Sequence, residues 1–268
     1  MNNAPIGIFD SGMGGLTVMR ALAEKLPAES FVYLGDTARL PYGTKSPDTV
    51  TRYAVQAAHV LTARGIKLLV VACNTASGVA VPTLESALNI PVVGVIGPGA
   101  EAAIAAAPQG PIAVIATEGT VKGGAYVRAI HALANVGVAQ QACPLFVPMA
   151  EEGLIDGHIA EAIAHRYLDP LLATLPKPKC LVLGCTHFPA LKNVIARVAG
   201  PDIILVDSAM TTATAVAKIL DEKNLRADGK NPHHHFLATD APDRFARVGK
   251  IFLGADINPG DIELVDLQ

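Results

Sequence analysis

Short apolar runs alternate along the chain with longer stretches of helical character. The runs are rich in β-branched residues and lack a strict apolar–polar alternation, which is typical of strands covered on both faces. They predict strands at 5–10, 30–36, 67–73, 90–96, 111–117, 138–143, 180–185 and 202–208. Strands that alternate with helices predict parallel sheets with helices on both sides, so the fold class is α/β.

The stretches between these runs predict helices. They span 14–26, 46–65, 75–88, 99–108, 123–133 and 157–175, and a further one begins near 211. Ser46 followed by Pro47 is typical of a helix start, and Gly65 of a helix end. The tail contains two more apolar runs, 235–239 and 262–266, which we expect at the edges of a sheet.

Two pairs of strand ends resemble each other. Ser11 and Thr117 each follow an apolar run and precede a glycine, and Cys73 and Cys185 each follow an apolar run and precede a threonine within two residues. The members of these pairs lie 106 and 112 residues apart. Near-equal offsets predict two similar α/β lobes whose strand ends face one cleft. The alternative is that buried strands resemble one another by composition alone.

Composition narrows the class of protein. The 268 residues are 51% hydrophobic and 17% charged with a mean hydropathy of +0.38, which excludes a disordered chain. The apolar runs are shorter than the ~20 residues that span a membrane. A net charge of −3 offers no basic surface for nucleic acid. The first residues lack the features of a signal peptide, so we expect a cytoplasmic protein with free cysteines.

Two of the four cysteines stand where the chain leaves a strand. Cys73 and Cys185 each end an apolar run and precede a polar pair, whereas Cys143 and Cys180 read as structural. A helix that begins after a cysteine would lower the thiol pKa. Either cysteine alone is better explained as a packing residue, but their matching flanks favour a reactive pair.

Two matched thiols limit the reactions that the candidate site could catalyse. A Cys/His hydrolase needs one nucleophile and a base, and a dithiol redox site usually has a CxxC spacing, which is absent. Zinc would need more ligands, and the histidine run at 233–235 has no carboxylate or cysteine spaced to complete a metal site. Racemisation needs a base on one face of Cα and an acid on the other, which two facing thiols provide.

Other polar strand ends complete the candidate site. Asp10 and His187 are the natural proton-relay partners of the thiols. The glycine-rich turn after Ser11 suits an anion at a helix N-terminus, although it matches no nucleotide-binding motif. The Pro-Tyr-Gly loop at 38–46 is expected to present backbone donors to a carboxylate, the alternative being a simple turn.

Six blocks of the sequence resemble the glutamate racemases. They lie at 6–18, 33–46, 70–77, 91–96, 146–153 and 182–191. The resemblance implies an isomerase without cofactor or metal that interconverts L- and D-glutamate for peptidoglycan synthesis. It also implies a homodimer and two α/β lobes related by approximate two-fold symmetry, with the substrate between them. The first lobe would comprise 1–96 and 208–268, and the second 97–207.

The resemblance further implies roles for single residues. Cys73, assisted by Asp10, would deprotonate D-glutamate. Cys185, assisted by His187, would deprotonate L-glutamate. The substrate's carboxylates and amino group would be bound by Asp10, Ser11, Pro41, Tyr42, Gly43, Asn74, Thr75, Thr117, Thr120 and Thr186.

An acidic residue is also implied where Glu151 and Glu152 stand side by side. We favour Glu152 because of its distance from Cys185. Gly123 departs from the serine of many members, which removes one hydroxyl contact.

Two alternatives stay open on the sequence. One is an aspartate racemase, since a single methylene distinguishes the substrates; the DSGxGG and LPYG blocks favour glutamate. The other is a catalytically silent amino-acid-binding protein on the same scaffold, against which the presence of both thiols argues.

Overall fold

The protein is described by a computed structural model that covers residues 2–173, 176–229 and 232–267. Its strands are β1 (Ile6–Asp10), β2 (Phe31–Gly35), β3 (Leu68–Val71), β4 (Val92–Gly94), β5 (Ile112–Ala116), β6 (Val138–Ala142), β7 (Cys180–Gly184), β8 (Ile204–Asp207), β9 (His234–Ala238) and β10 (Ile262–Leu264). The α-helices are α1 (Leu16–Lys25), α2 (Pro47–Thr62), α3 (Asn74–Ala87), α4 (Ile96–Ala106), α5 (Glu118–Gly123), α6 (Ala125–Leu133), α7 (Phe146–Glu151), α8 (Gly157–Leu172), α9 (Lys192–Ala199), α10 (Ser208–Glu222) and α11 (Pro242–Leu253).

These strands form two sheets in which every pairing is parallel. The first sheet has the order β10-β9-β2-β1-β3-β4, and the second has the order β6-β5-β7-β8. In the first sheet Ile6 lies opposite both Phe31 and Leu68, and in the second Ile112 lies opposite both Val138 and Cys180. The first sheet takes strands from both ends of the chain, while the second takes them from the middle. The α/β class with two parallel sheets is confirmed.

The central strands are buried along their whole length because helices cover both faces of each sheet. Every residue of β1, β2, β3, β5 and β7 is buried. This explains why the strands read as continuous apolar runs rather than alternating ones. None of the helices in the described part of the chain is long and apolar enough to cross a membrane.

Some elements differ from the sequence prediction. The run at 235–239 was expected at an edge, but β9 lies inside the sheet because β10 pairs with its outer side. The helix predicted at 123–133 is α6, which begins only at Ala125, because the positive φ of 63° at Gly124 separates it from the short helix α5. The last two residues of the helix predicted at 157–175 lie outside the described residues. Helices α5, α7, α9 and α11 were not predicted. Helices α5 and α7 have only six residues each, whereas α9 and α11 carry apolar stripes spaced at helical intervals, which a search for continuous apolar runs does not detect.

Glycines let the two sheets' connecting segments approach each other closely. A Cβ on Gly14 would lie 2.4 Å from Nδ1 of His187 and 2.5 Å from Oγ1 of Thr186. The Thr17 hydroxyl donates a hydrogen bond to the carbonyl oxygen of Thr186 at 2.9 Å. The turn after β1 therefore packs directly against the turn after β7, and the carboxyl ends of the two sheets face each other.

Candidate active site

The facing strand ends enclose one cavity of about 300 Å³, at the small end of the size range of ligand sites. Most of the residues expected from the sequence line it: Ser11, Pro41, Tyr42, Gly43, Cys73, Asn74, Thr75, Thr117, Cys185, Thr186 and His187. Five further lining residues were not expected there: Gly12, Leu40, Val147, Pro148 and Glu151. Asp10 and Thr120 are buried directly behind this wall.

Cys73 is the N-cap of α3, and only 5% of its surface is exposed. Its Sγ accepts a hydrogen bond from the backbone N–H of Ala76 at 3.5 Å. Burial, with the negative charge of Asp10, raises the pKa of this thiol to about 12, although the N–H and the Ser11 hydroxyl oppose the shift. The expectation of a lowered pKa is wrong here, because desolvation outweighs the helix terminus. Cys73 is therefore protonated at neutral pH.

Asp10 ends β1 and is completely buried. Its Oδ2 accepts a hydrogen bond from the N–H of Gly12 at 2.9 Å, and its Oδ1 accepts one from the Thr186 hydroxyl at 3.5 Å. Burial raises the pKa of Asp10, and the charge of His187 and neighbouring N–H groups lower it in part. Asp10 thus links the turn after β1 to the turn that carries Cys185, and its charge acts on the Cys73 thiol.

Cys185 begins a series of polar contacts along the cavity wall. Its Sγ lies 3.8 Å from Nδ1 of His187, and Nε2 of His187 lies 3.0 Å from Oε1 of Glu151. Burial opposes a charge on His187, but its hydrogen bonds with Cys185 and Glu151 raise its pKa to about 10. The structure thus places a positively charged imidazole ring beside the Cys185 sulfur.

The opposite wall supplies hydrogen-bond donors. The hydroxyls of Thr75, Thr117 and Thr120 lie 3.0–3.2 Å from one another, and they join the two halves of the cavity. Asn74 accepts a hydrogen bond from Tyr126 through Oδ1 at 2.8 Å, while its buried Nδ2 has no partner among the described residues. A buried amide N–H without a partner is unfavourable, so this wall suits a carboxylate ligand.

Buried polar contacts anchor the loop at 38–46. The Tyr42 hydroxyl donates to Oδ2 of Asp36 at 2.5 Å, and Nε of Arg39 donates to the same oxygen at 2.7 Å. Asp36 is completely buried. These contacts fix the Tyr42 side chain, and the Pro-Tyr-Gly segment lines the cavity.

Comparison with known proteins agrees with this geometry. The profile of the family described as Asp/Glu/Hydantoin racemase matches residues 6–216. The chain belongs to this family. It is accordingly an isomerase of the amino-acid racemase class.

Relatives and solved structures match over nearly the whole chain. A glutamate racemase of Geobacter metallireducens is 51% identical over 265 residues, which cover 98% of this chain and 97% of the relative. A crystal structure of a glutamate racemase isoform from Bacillus anthracis has a TM-score of 0.94 at 38% identity, covering 100% and 99% of the two chains. One from Francisella tularensis, in complex with D-glutamate, has a TM-score of 0.92 at 39% identity, covering 100% and 99%.

In this racemase the acidic residue at the cavity is Glu151, whereas the sequence favoured Glu152. Glu152 is exposed and forms the C-cap of α7. Adjacent residues at a helix end point in directions about 100° apart, so only one of the two can face His187. Sequence distance from Cys185 carries no information on this direction.

Exchanging Glu151 and Glu152 for glutamine, one at a time, tests which of them acts on His187. We expect Glu151→Gln to lower kcat by about 10- to 100-fold, because His187 loses the charge that keeps it protonated and oriented. Glu152→Gln, the matched control, should leave kcat unchanged. Steady-state racemisation assays of both variants measure the difference, and a larger loss for Glu152→Gln would reverse the assignment.

The raised pKa of His187 also predicts a pH dependence of stability. Protonated His187 is favoured in the folded chain, so its contribution is complete below pH 6.5 and is lost as the pH rises through about 10. We expect the difference in unfolding free energy between the wild type and His187→Gln to shrink over this range. Urea denaturation at several pH values measures it, and a constant difference would contradict the charge assigned to His187.

Proposed function

We propose that this racemase interconverts L- and D-glutamate, with Cys73 and Cys185 as its two acid–base groups. One observation carries the proposal: the two thiols line the same cavity from turns that follow strands of two different sheets. A substrate held between them presents one face of Cα to each thiol. The two buried cysteines outside the cavity, Cys143 and Cys180, have no such position.

In the direction from L- to D-glutamate, the Cys185 thiolate removes the Cα proton. The electron pair of the broken C–H bond remains on the substrate as a carbanion delocalised into its carboxylate. The Cys73 thiol then donates its proton to the opposite face of Cα and becomes a thiolate. The thiol form of Cys73 and the imidazolium of His187 beside Cys185 match the protonation that this direction requires.

The charge that develops on the α-carboxylate needs fixed donors. Candidates on the cavity wall are Nδ2 of Asn74, which lacks a partner among the described residues, and the threonine hydroxyls at 75, 117 and 120. Ser11, Tyr42 and Gly43 also line the cavity, and their backbone N–H groups are further candidate donors. Donors from several segments suit a substrate with two carboxylates.

A substrate comparison tests the proposed activity. Purified protein is incubated with L-glutamate or L-aspartate, and the enantiomers are separated by chiral chromatography. We expect D-glutamate to form faster than D-aspartate. Faster conversion of aspartate would overturn the choice of substrate, and conversion of neither would favour a protein that binds amino acids without catalysis.

We further propose that the product serves peptidoglycan synthesis in the cytoplasm, as the resemblance to the glutamate racemases implies. The four free thiols are compatible with a reducing compartment. Expression of the gene should restore growth to a bacterial strain that requires D-glutamate, and the Cys73→Ser variant should not restore it. Growth with both or with neither would contradict this role. The homodimer stays a prediction.

A further inference from the structure

Helix α11 reaches the proton relay of Cys185 from the other sheet. It connects β9 to β10 in the first sheet and packs against α1, and it also contacts α7, which follows β6 of the second sheet. Two of its side chains, Arg244 and Phe252, contact residues of the relay.

Arg244 contacts Glu151, and Phe252 contacts His187. Nη2 of Arg244 donates a hydrogen bond to Oε2 of Glu151 at 2.8 Å, while Oε1 of the same carboxylate holds His187. The ring of Phe252 stands edge-on to His187 with centroids 4.9 Å apart. Neither Arg244 nor Phe252 is among the residues that line the cavity.

Charges of alternating sign follow one another along this series of contacts, from Arg244 to Glu151 to His187, and the series ends at Cys185. The side chain of Glu151 is only 10% exposed, and burial alone would raise its pKa. The hydrogen bond and charge of His187 and the charge of Arg244 instead bring it below its usual value. Of the residues in this series of contacts, Arg244 is the one open to solvent, with 43% of its side chain exposed.

We propose that Arg244 is a positioning residue that acts on the Cys185 half-reaction alone, by fixing the carboxylate of Glu151 behind His187. The inference rests on the proposed function. An arginine fixes the direction of a carboxylate that a single hydrogen bond to His187 leaves free to rotate. No hydrogen bond joins Cys73 to Arg244, Glu151 or His187 among the described residues, so we expect the Cys73 half-reaction to be unaffected.

Substrate isotope effects distinguish the two half-reactions. Because enantiomers have equal free energy in water, kcat/KM must fall by the same factor in both directions, and rates alone carry no information on the affected thiol. Deuterium at Cα reports the step that breaks the C–H bond: Cys185 breaks it in L-glutamate and Cys73 breaks it in D-glutamate. A slower Cys185 step raises the isotope effect with L-glutamate and lowers it with D-glutamate.

The variants are Arg244→Gln, Arg244→Lys and, as matched control, Arg247→Gln, which removes an exposed arginine of the same helix. We expect Arg244→Gln to lower kcat/KM about fivefold, the upper range for a partly exposed ion pair. Its isotope effects on kcat/KM should change in opposite directions for the two enantiomers. Arg244→Lys should restore most of the loss, and Arg247→Gln should behave as the wild type.

Each outcome has one meaning. Isotope effects that stay unchanged or move together in Arg244→Gln would overturn the proposal, because a general loosening of the fold slows both steps. The same holds for a loss of rate in Arg247→Gln equal to that in Arg244→Gln. A wild type that racemises no glutamate would instead refute the proposed function.

Discussion

Replacing either cavity thiol by serine should lower the rate of glutamate racemisation by about 10²- to 10⁴-fold, the usual contribution of a positioned acid–base group. A serine hydroxyl does not ionise near neutral pH, so it cannot serve as the base. Cys73→Ser and Cys185→Ser should both lose inversion, because each direction uses one thiol as base and the other as acid. Chiral chromatography of the product measures the loss.

A buried cysteine outside the cavity provides the control. Cys180 begins β7, the strand that leads to Cys185, and is completely buried without lining the cavity. Cys180→Ala should keep its racemisation rate even where its stability falls. If Cys73→Ser or Cys185→Ser retained the rate of Cys180→Ala, the two-thiol mechanism would be wrong.

A single methyl group on Gly14 should lower kcat by more than about 100-fold, the cost of misplacing a catalytic group by about 1 Å. The added Cβ would lie within 2.5 Å of both the His187 ring and the Thr186 hydroxyl. His187 cannot yield without losing its contact with Cys185 or Glu151. The expected result is a folded protein with a disordered relay.

Gly97→Ala is the matched control for this substitution. Gly97 lies in α4, and a Cβ there would meet nothing within 4 Å. It should retain full activity, while circular dichroism shows whether Gly14→Ala has kept its helices. A folded and fully active Gly14→Ala would contradict the close packing of the two turns.

The sequence predicts most of the fold because its central strands are buried on both faces. Such strands must be continuously apolar, so they are recognisable one at a time. The order of the strands within a sheet cannot be read from single runs, because it depends on which chain segments pack side by side. For this reason β9 was expected at an edge although β10 covers it.

The residues of the candidate site also fall into those that the sequence predicts and those that only the structure reveals. Cys73 and Cys185 were predicted because their flanking residues repeat, and the structure places both at one cavity. Glu151 was a candidate beside the favoured Glu152, because the sequence does not show the direction in which a side chain points. Arg244 was not predicted, because its contact with Glu151 joins distant segments of the sequence. The pKa of Cys73 was misjudged, since a helix N-terminus is visible in the sequence and the depth of burial is not.

In the proposed mechanism, two different groups act on opposite faces of Cα. The most direct test is conversion of L-glutamate by the wild type in deuterated water, analysed early by NMR or mass spectrometry. A mechanism with two bases predicts that the first D-glutamate formed carries deuterium at Cα, because the second thiol has exchanged its hydrogen with the solvent and donates deuterium. D-glutamate that retains the hydrogen of the substrate would contradict this mechanism, because a single base returns the proton that it removed.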